Sequence, residues 1–235
     1  MKIRIDRFLC HMGIGSRSEI KKFLKTCRVK LNGKFEKSSN TQVDIDKDEI
    51  LFDDEIVIYK EFTYLMLNKP KDYISATYDP KLPTVLELLE FPYSNMELFP
   101  VGRLDIDTTG FLILTNDGKF SYNVTNPKKK VNKKYLVTLR DDISSNQIES
   151  LENGIYFEKE DFTTENAKVE EISKREIYLT ISEGKFHQVK RMLEYVGNEV
   201  VELKRVSIGN LSLDEKLELG EYREITNTEL EEIFK

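Results

Sequence analysis

Cysteine is scarce: the 235 residues contain two, Cys10 and Cys27, with no CxxC pair and only two histidines to accompany them. Such a set does not suit a structural zinc site, so both thiols are expected to be buried apolar groups. Long apolar runs are missing too. No stretch approaches the roughly 20 residues that cross a bilayer, and the N-terminal segment lacks the apolar core of a signal peptide. The expectation is a cytoplasmic protein with no membrane partner. There is no GxGxxG turn, no P-loop and no nucleophile elbow, which removes the usual sequence support for dinucleotide, nucleoside-triphosphate and serine-hydrolase chemistry. Internal repeats, low-complexity segments and a long Gly/Ser/Pro linker are likewise absent.

What is present is an ordinary globular composition, 39% hydrophobic and 33% charged, in a length that suits one large domain or a small one joined to a medium one. The net charge of −6 conceals a division. Residues 1–37 hold eleven Lys/Arg against three acidic side chains, a net +8, so the other 198 residues carry −14. A basic module on an acidic body is the electrostatic footprint of polyanion binding. Within the module, Ile5, Phe8, Leu9 and Met12 recur at helical spacing until Gly13 and Gly15 interrupt them. Ser16-Arg-Ser-Glu19 is a capping box for a second helix, with Ile20, Phe23 and Leu24 on one face and Arg17, Lys21, Lys22 and Lys25 on the opposite arc. Arg28-Val-Lys-Leu31 and the chain after Asn32-Gly33 read as a hairpin. A basic helix face by itself is most often solvated surface. In this order, however, the elements resemble the S4 RNA-binding domain. That resemblance implies contacts to structured RNA through Arg4, Arg17, Lys21, Lys22 and Arg28, by neutralisation of phosphates. The acidic runs Asp44–Glu49 and Asp53–Glu55 lack the ligand spacing of a calcium loop and read as solvated turns. The boundary falls near residue 60, giving domains of 1–59 and 60–235.

The second domain reads as a strand at Tyr64–Leu67 stopped by Asn68-Lys-Pro70, a short helix at Thr84–Leu89, and a strand at Phe111–Leu114 buried on both faces. A helix capped by Asn116 or Asp117 follows, then a lysine-rich loop, Lys128–Lys134, that feeds the strand Tyr135–Leu139. Lysines ending on an aromatic suit a site that grips phosphates while a base stacks on the ring. Further helices are expected at 144–154 and 189–196 and strands at 167–172, 177–182 and 200–206, with a last helix capped at Thr226. Lys185, His187, Lys190 and Arg191 fall near the N-terminal end of the helix ending at Gly197-Asn198, where anions are favoured.

The stretch Phe99–Gly118 concentrates the chemistry, because Arg103, Asp105 and Asp107 stand in a polar loop directly before the buried strand. Aspartates in such a loop commonly cap turns. A metal nuclease would need a second carboxylate cluster. The remaining chemical option is nucleophilic or base catalysis by one carboxylate held by a cation from elsewhere in the chain. Gly102-Arg-Leu-Asp105, Thr109-Gly110 and Leu112–Gly118 resemble the catalytic signature of the RsuA branch of the pseudouridine synthases. Met66–Pro70, Lys134-Tyr135-Leu136 and Glu183–Met192 match in the same order, so the resemblance covers nearly the whole chain.

That resemblance implies an α+β protein: a small S4-like domain, then a catalytic domain on a mixed, mainly antiparallel sheet with flanking helices. It also implies isomerisation of uridine to pseudouridine, in which uracil leaves C1′, rotates and rejoins through C5 without metal or cofactor. Asp105 would attack the base or act at the ribose, Tyr135 would stack under the base and assist removal of the C5 proton, and Lys190 would keep Asp105 ionised. Lys190 stands where most relatives outside the branch carry arginine, giving a point charge in place of a bidentate fork. Arg103 would position RNA or fill the gap left by the departing uridine, with a structural salt bridge as its alternative. Lys133, Lys134, Lys185, His187 and Arg191 complete the implied RNA contacts. Asp107 ranks as a supporting loop residue, and an apolar residue near Ile208 or Leu211 would pack on the base. The detail of Asp-Ile-Asp-Thr-Thr-Gly and Phe-His-Gln-Val-Lys-Arg-Met is similar to small-subunit members of the branch. The implied partner is therefore 16S rRNA or a small-subunit assembly intermediate, bound by a monomer. A 23S uridine and a noncatalytic S4-type assembly factor are the alternatives.

Overall fold

In the computed structural model β1 (Lys2–Arg4) runs directly into α1 (Ile5–His11), and the predicted capping box starts α2 (Arg17–Lys25). Ser16 Oγ accepts from the Glu19 amide at 3.4 Å while the Ser16 amide donates to Glu19 Oε2 at 2.9 Å. β2 (Val29–Leu31) and β3 (Lys34–Phe35) then form the hairpin, with Asn32 at φ 49° and Gly33 at φ 79° supplying the paired positive φ of a type I′ turn. β4 (Gln42–Asp44) pairs with β1, and β5 (Ile50–Phe52) joins β2 to β6 (Glu55–Ile56). Ile5, Phe8, Leu9, Ile20, Leu24, Val29, Val43 and Ile50 close one core. Both cysteines are half-buried rather than enclosed, and neither forms a disulfide.

The structure describes residues 1–235, the side chain of Lys159 excepted, as two units. One is Met1–Thr63 together with Leu86–Phe99; the other is Tyr64–Val85 with Pro100–Lys235. A single boundary near residue 60 therefore misses an excursion: Asn95 Nδ2, for example, donates to the Gly13 carbonyl at 3.0 Å. The predicted helix at 84–89 is one 3-10 turn, Val85–Leu88.

In the second unit β7 (Tyr64–Lys69) runs two residues further than expected and stops before Pro70. β8 (Thr109–Thr115) lies beside it, and Phe111–Leu114 have no exposed surface. Asp117 caps α3 (Gly118–Thr125), accepting from the Lys119 and Phe120 amides at 2.9 and 3.0 Å. β9 spans Lys133–Leu139, so Lys133 and Lys134 belong to a strand and not to a loop. α4 (Ser145–Glu152), β10 (Lys168–Ser173), β11 (Glu176–Ile181), α5 (Gln188–Tyr195) and β12 (Val200–Ile208) follow, then β13 (Leu211–Ser212), β14 (Tyr222–Glu224) and α6 (Asn227–Glu232). The large sheet runs in the order β10-β11-β9-β12-β8-β7-β14, with β13 paired to β12. β12 and β8 are parallel and the pairs on either side antiparallel, the mixed α+β architecture expected. Among the described residues no helix is long and apolar enough to cross a membrane.

The parallel pair brings Gly110 opposite Arg205 at the start of β8. Gly110 has φ +99°, and a Cβ there would lie 2.3 Å from the Arg205 carbonyl oxygen. Gly110→Ala should therefore cost at least ~2 kcal/mol in urea denaturation. Gly118→Ala, with open space around the added methyl, should change stability by less than about 1 kcal/mol. Equal shifts in the two variants would contradict this packing.

Candidate active site

The loop before β8 is held from beneath by a lysine. Lys69, the last residue of β7, has no exposed surface, and its Nζ donates to the carbonyls of Pro70 at 2.9 Å, Thr108 at 2.9 Å and Ile106 at 3.3 Å. Burial pushes its ammonium down to about 8, against the opposing pull of Asp107, Asp105 and Asp72. Ser75 holds the other side of the loop: its Oγ accepts from the Leu104 amide and donates to the Leu104 carbonyl, both at 3.0 Å. Within the loop, the Thr108 amide donates to the Asp105 carbonyl at 3.1 Å. Asp105 thus stands on pinned backbone with its side chain 27% exposed.

A second pinned segment supplies the cation. Gln188, buried at the start of α5, accepts from the Lys185 amide at 2.9 Å and donates to Glu183 Oε1 at 2.7 Å. Glu183 Oε1 also accepts from the Glu165 amide at 2.9 Å. His187 precedes α5 in the left-handed region at φ 48°. From the first turn of α5, Lys190 Nζ reaches Asp107 Oδ1 at 2.6 Å and Asp105 Oδ2 at 3.2 Å, and His187 Nε2 lies 3.6 Å from Asp105 Oδ1. Burial disfavours the Lys190 ammonium, but its bonds to Asp107 and Asp105 outweigh that and raise its pKa. Burial likewise works against the Asp107 carboxylate, yet the Lys190 hydrogen bond and charge hold it below the ordinary range. One ammonium therefore serves two carboxylates, where sequence alone paired it with Asp105.

Tyr135 from β9, Ile181 from β11 and Leu203 from β12 face this pair across a cleft that Arg103, Leu104, Lys185, His187 and Val189 also line. The cleft thus combines a carboxylate with its cation, a largely buried aromatic ring and two further cations, Arg103 and Lys185. Its apolar wall includes Leu203; Ile208 and Leu211, expected there, pack into the core cluster with Phe111 and Val131. Among the described residues no group of three or more His, Cys, Asp or Glu side chains is placed to hold a metal ion.

The other predicted RNA contacts divide. Arg103, Lys185 and His187 are exposed at the cleft, and Arg17, Lys21 and Lys22 are exposed on α2 in the N-terminal unit. Arg4 is paired with Asp6, and Arg28 pairs with Asp53 while lying over the rings of Phe23 and Phe52. Lys134 is bound to Glu170 at 3.0 Å and sits over Tyr178, and Arg191 is bound to Glu160 at 2.7 Å over Phe157. Lys133 is only 7% exposed. Sequence reading missed Lys69, Ser75, Gln188 and Arg205. Lys69 and Gln188 stood inside matched blocks, Met66–Pro70 and Glu183–Met192, with no role assigned to them; Ser75 and Arg205 carried no signal.

Lys133 shares its strand face with Tyr135, which pairs with Arg205 of β12. Arg205 is 4% exposed; its Nε donates to the Phe111 carbonyl at 2.7 Å and its Nη2 has no hydrogen-bond partner among the described residues. Burial, and then the Arg205 charge, push Lys133 down to about 8. The folded chain thus releases this proton near pH 8, while the unfolded chain keeps it to the ordinary lysine value. Folding is therefore penalised at neutral pH and favoured progressively as pH rises through that window. Lys133→Met should raise the melting temperature at pH 7, with the gain shrinking between pH 8 and 10. A pH-independent gain, or a loss at pH 7, would contradict the assignment.

Comparison with known proteins matches this architecture. The family model of RNA pseudouridylate synthase matches residues 63–195 and that of the S4 domain residues 3–50. A Bacillus subtilis protein named uncharacterized RNA pseudouridine synthase YtzG is 47% identical over 97% of both chains. Proteins named ribosomal small subunit pseudouridine synthase A are similar as well. The Haemophilus influenzae protein is 41% identical over 99% of this chain and 100% of its own, and the Escherichia coli protein 37% over 97% and 98%. A solved pseudouridylate synthase is 40% identical, with a TM-score of 0.70 over 98% of this chain and 99% of its own. The chain belongs to the RNA pseudouridylate synthase family and carries an S4 domain ahead of the synthase domain.

Proposed function

We propose that this protein isomerises a uridine of 16S rRNA to pseudouridine in the cytoplasm, acting as a monomer without cofactor, with Asp105 as the reacting carboxylate. The observation that carries the reading is the placement of Asp105 3.2 Å from the Lys190 ammonium in the cleft that Tyr135 lines. The reaction breaks the N1–C1′ bond, forms a C5–C1′ bond, releases the C5 proton to solvent and takes up one proton at N1. It is an isomerisation, so its balance needs no co-reactant. Asp105 attacks the uridine or promotes cleavage at the ribose. Lys190 orients its carboxylate through the 3.2 Å ion pair. Tyr135 packs beneath the base and assists removal of the C5 proton. Arg103, Lys185 and His187 hold the flanking RNA, and residues 1–59 supply affinity for structured RNA through Arg17, Lys21 and Lys22. The names of the full-length relatives support the small-subunit substrate.

Unmodified 16S and 23S rRNA, free and in partly assembled subunits, labelled with tritium at uridine C5, test this directly. The wild type should release tritium from the 16S substrate and Asp105→Asn should lower the rate by about 10³-fold or more. Release that persists in Asp105→Asn would remove the assigned carboxylate. Release from 23S alone would move the substrate, and none from any RNA would favour a noncatalytic binding role.

A further inference from the structure

Phe186 is 73% exposed, although the residues on either side of it are hydrogen-bonded in place. Gln188 clasps the loop through Lys185 and Glu183, and the Gln188 amide returns to the Lys185 carbonyl at 3.2 Å. The Phe186 ring lies on the His187 ring at 3.8 Å with 16° between planes, and among the described residues it makes no other ring contact. One face is therefore covered and the other open. A solitary exposed phenylalanine is unremarkable on a protein surface. This one is flanked in sequence by Lys185 and His187, both of which line the cleft containing Asp105 and Lys190.

We infer that Phe186 is a stacking platform for a nucleobase next to the target uridine, a role that rests on the function proposed above. A uridine that enters the cleft must leave its stack, and its neighbour then loses a stacking partner. The open face of Phe186, backed by the His187 ring and next to Lys185, replaces that partner. Every base has such a face, so the contact strengthens binding of RNA opened at the target with little preference for base identity. It is therefore a positioning element, distinct from the groups that touch the reacting atoms. Cationic surroundings favour RNA over an apolar protein partner as the occupant.

The chain contains no tryptophan, so Phe186→Trp places a single indole reporter at the proposed contact. Titration with unmodified 16S rRNA should quench its emission at least about two-fold and saturate with the KM of tritium release. A Phe234→Trp protein, carrying its reporter against Phe120 in the first turn of α3, at the opposite end of β8, should show little change. Phe186→Ala should raise KM by roughly 5- to 150-fold, the equivalent of about 1–3 kcal/mol of stacking, with kcat within a few-fold. Phe186→Tyr should restore KM. If the wild type releases tritium but Phe186→Trp is not quenched and Phe186→Ala keeps its KM, the inference falls. Emission that changes with protein concentration before RNA is added would assign the face to a second copy and also overturn it. Quenching without tritium release by the wild type would keep the RNA contact and overturn the proposed reaction instead.

Discussion

The Lys190 ammonium stands between two carboxylates, and most of the second unit's local architecture keeps it there. It is 83 residues from Asp107 in sequence, so no local turn creates the pair; two separately braced segments must meet within hydrogen-bond reach. Lys69 and Ser75 hold the aspartate loop, and the Gln188–Glu183 clasp holds the start of α5. Lysine suits this geometry. A compact point charge with rotatable donors is shared readily between Asp105 and Asp107, whereas a guanidinium fork is built to grip one carboxylate with two parallel bonds. Asp107 is therefore more than a loop residue, because it takes the shorter bond of the two. Asp105 keeps the same cation at longer range and remains open to the cleft.

The same site explains why charge lies buried nearby. Lys69 and Lys133 are both pushed to about 8 by burial, but they differ in their surroundings. Lys69 donates to three carbonyls, which fix the loop and offset part of its desolvation. Lys133 sits near Arg205, another buried cation, and that repulsion adds to its cost.

Features written in short-range code were legible in the chain. The Ser16 capping box, the Asn32-Gly33 turn, a cap at Asn116 or Asp117 and the fully buried Phe111–Leu114 each depend on residues a few positions apart. β1 was not legible, since three residues are too few to show a period. Lys133 and Lys134 read as part of a phosphate-gripping loop because five lysines in seven residues hide the alternation that puts Lys133 inward and Lys134 toward Glu170. The excursion of 86–99 into the N-terminal unit, and the presence of Leu203 rather than Ile208 in the cleft wall, depend on tertiary packing and strand register. In the site, motif resemblance picked out Asp105, Tyr135 and Lys190, but the bracing by Lys69 and Gln188 required coordinates. Side chains that act on other side chains leave little trace in spacing.

The shared ammonium is the claim on which the site stands, and titration of the aspartate carboxyls by carbon-13 NMR in the wild type and in Lys190→Met measures it most directly. The account predicts that Asp107 titrates below the ordinary carboxylate range in the wild type and that its midpoint rises when Lys190 is replaced, because desolvation then acts without the opposing cation. An Asp107 midpoint that is the same in both proteins would contradict it.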